Sequence, residues 1–315
     1  MQAVITDGFQ EATIEEQVLA PEGIRVVTTE GRPENEALEL IREADALMAL
    51  ARPLPAELIS KLTRCRVIVR YGAGMDTVDL EEAKARGIVV ASVPDASVQE
   101  VAAHALALLM LCARKLWAFR RVENFALGDP APVHPLRRLS ETTLGLIGFG
   151  RIAQALARLS GEIFGRIRAY DPLITSWDER TGVERSDSLE ELLESADFVS
   201  LHVPLTETTR HLLGPSQFLL LKPGACVVNT ARGALIDEAA LVESLGSGHI
   251  AAAGLDVLEE EPPRPDHPLL SFPQVYYTPH LAWYSEASRV ELRRRVAEEV
   301  LRVLTGKPAL HPVAI

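Results

Sequence analysis

The chain has 315 residues, 47% of them hydrophobic and 24% charged, with 32 basic against 44 acidic side chains and a formal net charge of −12. This composition excludes a disordered, collagenous or low-complexity chain, and the length is enough for two domains. The acidic balance argues against nucleic acid or an anionic membrane surface as the main partner, so a small anionic ligand needs a dedicated basic site.

From the N-terminus, short apolar runs alternate with amphipathic Ala/Glu/Leu-rich segments, the pattern of βα units around a mostly parallel sheet. The fold class is therefore α/β. The spacing predicts a strand at 3–5, a helix over 36–44, a strand over 46–50, a helix over 56–62 and a strand over 67–69. A helix over 80–86 follows, closed by Gly87, and then a strand over 88–91. A long helix is expected from Val98 to about Ala118, and its most apolar part, 101–113, is interrupted by His104 and too short to cross a bilayer. The segment 128–138 carries Pro130, Pro132 and Pro135 without periodicity and reads as loop.

A second α/β series begins at Leu144: LGLIGF, a helix from Arg151, IRAYDP, a helix near 189–196, FVSLHVP, ACVVNTARG, HIAAAGLDV and QVYYTPH. These predict five or six further strands. The last helix, 286–304, is long enough to return to the first domain. The start of the chain shows neither the basic residues nor the apolar run of a secretory signal, and Cys65, Cys112 and Cys226 are widely spaced, so a cytoplasmic location without disulfides is expected.

Gly148-Phe149-Gly150-Arg151-Ile152-Ala153 follows an apolar strand and opens a helix, the context in which G-x-G-x-x-A marks a dinucleotide site. The first glycine allows the tight turn, the second lets backbone approach a pyrophosphate, and Ala153 permits close helix packing. Asp171 ends the next strand 21 residues after Gly150, the distance of a carboxylate that bonds both ribose hydroxyls. It repels a 2′-phosphate, and no basic residue follows closely. The expected cofactor is NAD rather than NADP.

Three further pieces stand at strand ends: Asn229-Thr230-Ala231-Arg232-Gly233, then 256–262 ending in Glu261-Pro262, then Thr278-Pro279-His280. Ligands of open α/β sheets bind outside the carboxyl ends of the strands, so these residues are placed to converge. Taken singly, Arg232 also reads as a surface ion-pair residue, Glu261 as part of a solvated acidic run and His280 as a loop histidine.

Over nearly the whole chain the order and spacing of VRYGAGMDTVD, VPDASVQEVAAHALALL, LGLIGFGRIA with YDP, LHVPLTETTRHLL, VVNTARGALIDEAAL, AAAGLDVLEEEP and TPH resemble the D-isomer-specific 2-hydroxyacid dehydrogenases. The run HLAWYSE after the histidine is most similar to the C-terminal-binding-protein branch. The resemblance implies a hydride transfer between NAD(H) and a 2-oxo acid/D-2-hydroxy acid pair. It assigns Arg232 to the substrate carboxylate, Glu261 to the histidine's acidic partner, His280 to proton donation and Asp256 to the nicotinamide carboxamide. Gly148, Gly150, Arg151, Ile152, Asp171, Thr230 and Ala231 complete the expected cofactor site. His202, Val203, Pro204 and Thr209 read either as the adenine-side loop or as a capped loop at a strand end. Trp283 reads either as a pocket wall or as an aromatic anchor at a helix start.

The residue types suit that chemistry. Reduction needs a hydride on C2 and a proton on the carbonyl oxygen, which a protonated imidazole supplies, and so the rate should fall at alkaline pH. A guanidinium fixes a carboxylate with two parallel bonds. Gly72, Ala73 and Gly74 can present backbone N–H groups to the same carboxylate, with Arg70 nearby as a second charge. His104 reads as a satisfied core or interface residue. His134, His211, His249, His267 and His311 show no metal-ligand spacing, and no metal is expected. Nor does a GxSxG elbow occur.

By resemblance, two doubly wound domains flank an interdomain cleft: a discontinuous, flavodoxin-like substrate domain over 1–98 and 283–315, and a Rossmann NAD-binding domain over 99–282. A homodimer is implied in the same way. Two rivals are an NADH-sensing, protein-binding module of the corepressor type, expected to carry longer tails, and, within the class, phosphoglycerate dehydrogenase, expected to carry a regulatory domain. Glyoxylate or hydroxypyruvate reduction falls within the leading reading.

Overall fold

The computed structural model describes residues 1–119, 128, 130–174 and 177–313. It divides into two compact units, Met1–Ser97 with Tyr284–Ile315, and Val98–Trp283. Both are α/β.

The first unit holds a parallel five-stranded sheet of β1 (Gln2–Ile5), β2 (Arg25–Thr28), β3 (Ala46–Ala49), β4 (Val67–Arg70) and β5 (Val89–Ala91), in the order β2-β1-β3-β4-β5. That order is the flavodoxin-like one. β3 and β4 are buried at every position, as strands covered on both faces must be, and their runs ALMA and VIVR are accordingly continuous rather than alternating. The connecting helices are α1 (Thr13–Leu19), α2 (Glu34–Arg42), α3 (Ala56–Ile59) and α4 (Leu80–Ala85), the last capped by the Asp79 carboxylate, which accepts from the Glu82 N–H at 2.9 Å. Neither α1 nor β2 was expected from the sequence pattern.

The second unit opens with α5 (Val98–Ala113), shorter than the expected helix to Ala118. It stops because Lys115 takes a left-handed φ of 48°, after which residues Leu116–Phe119 form a 3₁₀ turn. Part of the proline-rich segment lies outside the described residues; the rest includes a 3₁₀ turn at Ala131–Val133. Seven parallel strands follow, one or two more than expected: β6 (Thr143–Ile147), β7 (Arg166–Tyr170), β8 (Glu184–Arg185), β9 (Phe198–Leu201), β10 (Ala225–Asn229), β11 (Ile250–Leu255) and β12 (Val275–Tyr277). Their order, β12-β11-β10-β9-β6-β7-β8, reverses direction between β6 and β9. This is a doubly wound sheet with its switch point beside the end of β6, where a nucleotide is held in such folds. α6 (Arg151–Ser160), α7 (Leu189–Ser195), α8 (Pro215–Leu220) and α9 (Glu238–Gly246) cover it together with α5.

The final helix, α10 (Glu286–Leu304), belongs to the first unit. Arg66 donates to the carbonyls of Val303 and Leu304 at 3.0 and 2.9 Å, closing the helix C-terminus. Midway, the Arg293 guanidinium lies 4.5 Å from the Phe9 ring centre and pairs with the fully buried Glu15 at 2.6 Å. Tyr71 also donates to Glu15, at 2.8 Å, and burial together with that carboxylate pushes the phenol up. Among the described residues no helix is long and apolar enough to cross a membrane.

Candidate active site

Because the seven strands run parallel, their carboxyl ends share one edge of the sheet, and every candidate residue after Ile147 emerges there. At the end of β6, Gly148 has a φ of 86°, and a side chain there would stand 2.8 Å from Val203 Cγ1 and 2.9 Å from the His202 carbonyl oxygen. Only glycine fits this approach. Gly150 then begins α6 without a side-chain cap, leaving its first N–H groups, from Arg151 and Ile152 onward, to an incoming acceptor. Asp171, at the end of β7, braces this turn: its carboxylate accepts the Phe149 N–H and the Leu173 N–H, each at 2.9 Å.

After β9, half-buried His202 keeps both ring nitrogens buried without a partner among the described residues. Burial lowers its pKa to about 4, so the ring is neutral. Pro204 and Thr209 close a turn, with the Thr209 hydroxyl donating to the Pro204 carbonyl at 2.7 Å. After β10, the Thr230 hydroxyl is likewise buried and unpartnered, and the Ala231 N–H donates to Asn229 Oδ1 at 3.0 Å. A glycine cradle, an uncapped helix start and a waiting hydroxyl along one edge suit a dinucleotide.

Beyond them, Arg232 lies in extended backbone, and Asn229 Nδ2 fixes its carbonyl at 2.7 Å. The following Gly233 is buried. A Cβ there would collide with the backbone carbonyl of Leu258 and the nitrogen of Glu259, so the Arg232 loop and the loop leading to Glu261 are packed backbone to backbone. Glu261 Oε1 accepts the Leu258 N–H at 3.1 Å, and Glu261 Oε2 accepts from His280 Nδ1 at 2.7 Å. His280 is exposed, with a φ of 54° that side-chain-bearing residues seldom adopt. The neighbouring Tyr277 hydroxyl is pushed up by burial and by the carboxylates of Glu261 and Asp256. The sequence-chosen Glu261 and His280 thus meet directly, and Arg232 sits on the loop packed against their support.

Asp256 takes a larger part than the sequence suggested. Its fully buried carboxylate accepts from the Thr278 hydroxyl at 2.6 Å and from the Leu281 and Ala282 N–H groups, each at 2.9 Å, while its backbone carbonyl accepts the His280 N–H at 2.8 Å. His104 Nε2 reaches Thr278 Oγ1 at 2.8 Å. Half-buried Trp283 follows this loop.

The first unit's candidate loop differs from expectation in detail. Arg70 is 6% exposed and donates to the carbonyls of Gly74, at 3.0 Å, Ala49 and Leu50, so its charge braces the turn from within. The Gly72 N–H is spent on the Arg70 carbonyl at 3.0 Å, which makes Ala73 and Gly74 the amides this turn can offer.

Comparison with known proteins matches residues 106–282 to the family described as D-isomer specific 2-hydroxyacid dehydrogenase, NAD binding domain. A D-3-phosphoglycerate dehydrogenase of Methanocaldococcus jannaschii is 38% identical over 98% of the chain, which spans 59% of that relative's length. A glyoxylate reductase of Korarchaeum cryptofilum is 39% identical over 86% of the chain and 82% of its own length. Among solved structures, a glyoxylate reductase from Paecilomyes thermophila superposes with a TM-score of 0.86 at 28% identity, covering 99% of this chain and 98% of its own.

Proposed function

The chain belongs to the D-isomer specific 2-hydroxyacid dehydrogenase family, and from that premise we propose that it reduces a 2-oxo acid to the D-2-hydroxy acid at the expense of NADH. The observation that carries the reading is the 2.7 Å pair between His280 and Glu261 on the same sheet edge as the Gly148 cradle. Bound at that cradle, NADH supplies the hydride.

The rest is the work of side chains. Glu261 accepts from Nδ1, which orients the imidazole and leaves Nε2–H to polarise the carbonyl oxygen and then protonate it. Arg232 holds the substrate carboxylate by two parallel hydrogen bonds, fixing which face of C2 is presented. The Asp171 carboxylate selects NAD by accepting from ribose hydroxyls and repelling a 2′-phosphate. In the reverse direction the imidazole, without its Nε2 proton, accepts the hydroxyl proton. The role of Asp256 toward the nicotinamide carboxamide, and those of His202, Val203, Pro204 and Thr209 toward the adenine side, belong to the same reading, as do a homodimer and a cytoplasmic location.

NADH oxidation followed with glyoxylate, hydroxypyruvate, pyruvate and longer 2-oxo acids tests the proposal. We expect turnover with at least one of them and near-complete loss in His280→Ala and Arg232→Ala. Undiminished activity in His280→Ala refutes the proton donor, and a partner pull-down without turnover on any oxo acid favours the corepressor-type reading. Because the phosphoglycerate dehydrogenase relative is so similar, the corresponding phosphorylated oxo acid joins the panel.

A further inference from the structure

We propose that His104 and Thr278 are positioning residues for the proton donor, acting through Asp256 as a one-way chain of hydrogen bonds that holds His280 in its left-handed conformation. The inference rests on the reading of His280 given above.

The direction of the chain follows from counting protons. A threonine hydroxyl has one proton. At 2.6 Å from Asp256 Oδ1, that proton is donated to the carboxylate, which only accepts. The remaining contact of Thr278 Oγ1, at 2.8 Å, must therefore receive a proton from His104 Nε2. His104 Nε2 is itself 3.6 Å from Asp256 Oδ1, so it serves the carboxylate through the hydroxyl rather than directly. Each bond in such a chain polarises the next.

The chain ends on the segment that carries His280. Asp256 Oδ1 also takes the Leu281 N–H and Oδ2 takes the Ala282 N–H, so one buried carboxylate grips the segment on both sides of His280, at 278 and at 281–282. Between those grips the His280 N–H is committed to the carbonyls of Asp256 and Thr278 at 2.8 and 3.0 Å. A histidine at a φ of 54° persists only where its surroundings over-determine it. Loosening one grip lets the backbone relax toward negative φ and turns the imidazole away from Glu261. His104, which reads in sequence as an ordinary helix residue, is then tied to the chemistry from a helix 174 residues away.

Paired substitutions separate positioning from packing. Thr278→Val and His104→Leu keep volume and remove the donor, whereas Thr278→Ser and His104→Gln restore one. In the holoenzyme with NADH and its best oxo acid, each apolar variant is expected to lose about tenfold in kcat, with the KM for NADH within about twofold, and each polar variant to recover most of the loss. The second readout is independent of turnover: the ring-proton NMR signal of His280 Nδ1 in its bond to Glu261 should shift or broaden in Thr278→Val and His104→Leu and return in Thr278→Ser and His104→Gln. Should Thr278→Val fail to fold, the part-exposed His104 carries the test. A His104→Leu enzyme with wild-type kcat and an unchanged ring signal overturns the proposal, as does a leucine variant equal to the glutamine one. If the wild-type protein turns over no oxo acid, the proposed function fails, while the ring signal still decides whether the chain positions His280.

Discussion

Gly233 offers the most direct test of how the candidate site is assembled. In Gly233→Ala the new methyl group would overlap the Leu258 carbonyl and the Glu259 nitrogen, both backbone, so no side chain can simply swing aside. Carbon contacts are comfortable near 3.5–4.0 Å, which obliges one loop to withdraw by about 1 Å or more. The withdrawing loop carries either Arg232 or Glu261, whose bond to His280 is 2.7 Å. Overpacking of this kind costs roughly 1–3 kcal/mol of stability, and a displacement of about 1 Å in a reacting constellation costs on the order of a hundredfold in rate. Steady-state NADH oxidation should therefore show kcat down about a hundredfold, with a melting temperature lower by a few degrees. A folded Gly233→Ala protein with wild-type kcat would show that the two loops need not meet as described.

Other perturbations reach separate parts of the molecule. Asp171→Asn keeps an acceptor for the Phe149 N–H but removes the charge, so the preference for NADH over NADPH should fall by at least about tenfold in kcat/KM; an unchanged ratio contradicts the assignment. His202 is held at about 4 against an ordinary 6.5, so the unfolded chain binds the extra proton between those values, and stability should be full above about pH 6.5 and decline as pH falls toward 4. The loss is at most about 3 kcal/mol, and urea midpoints across this range should lose that slope in His202→Gln. Arg293→Met leaves the buried Glu15 carboxylate without its guanidinium, which should cost about 3–5 kcal/mol of unfolding free energy; a loss comparable to that of an exposed pair would show that water reaches Glu15.

The elements that sequence pattern located are those with a long apolar period or a glycine at a fixed place: β6 with Gly148, the long α10, and the buried runs of β3 and β4. Short elements escaped it. α1 is preceded by Ala12, which offers no capping side chain, and β8 consists of two exposed charged residues, Glu184 and Arg185, paired to β7 without any hydrophobic alternation. The end of α5 depends on a single left-handed residue, Lys115, of a type that gives no warning. The family resemblance named Glu261 and His280, which pair, on the segments that follow β11 and β12. It did not reveal the bond from His104 to Thr278, since nothing local distinguishes a histidine that serves a distant hydroxyl from one that merely packs. The burial of Arg70 was missed for a related reason. A basic residue next to glycines suggests a ligand, but here the backbone carbonyls of its own turn are the acceptors.

The helix that supplies Arg293 comes after residues 98–283 in the chain, yet it completes the unit that begins before them. The intervening stretch, 98–283, is uninterrupted and can close around its own core, while β1 to β5 must wait for the segment beyond it to bring a counter-charge to Glu15. Vectorial synthesis thus presents the whole of the second unit before it presents the counter-charge of the first.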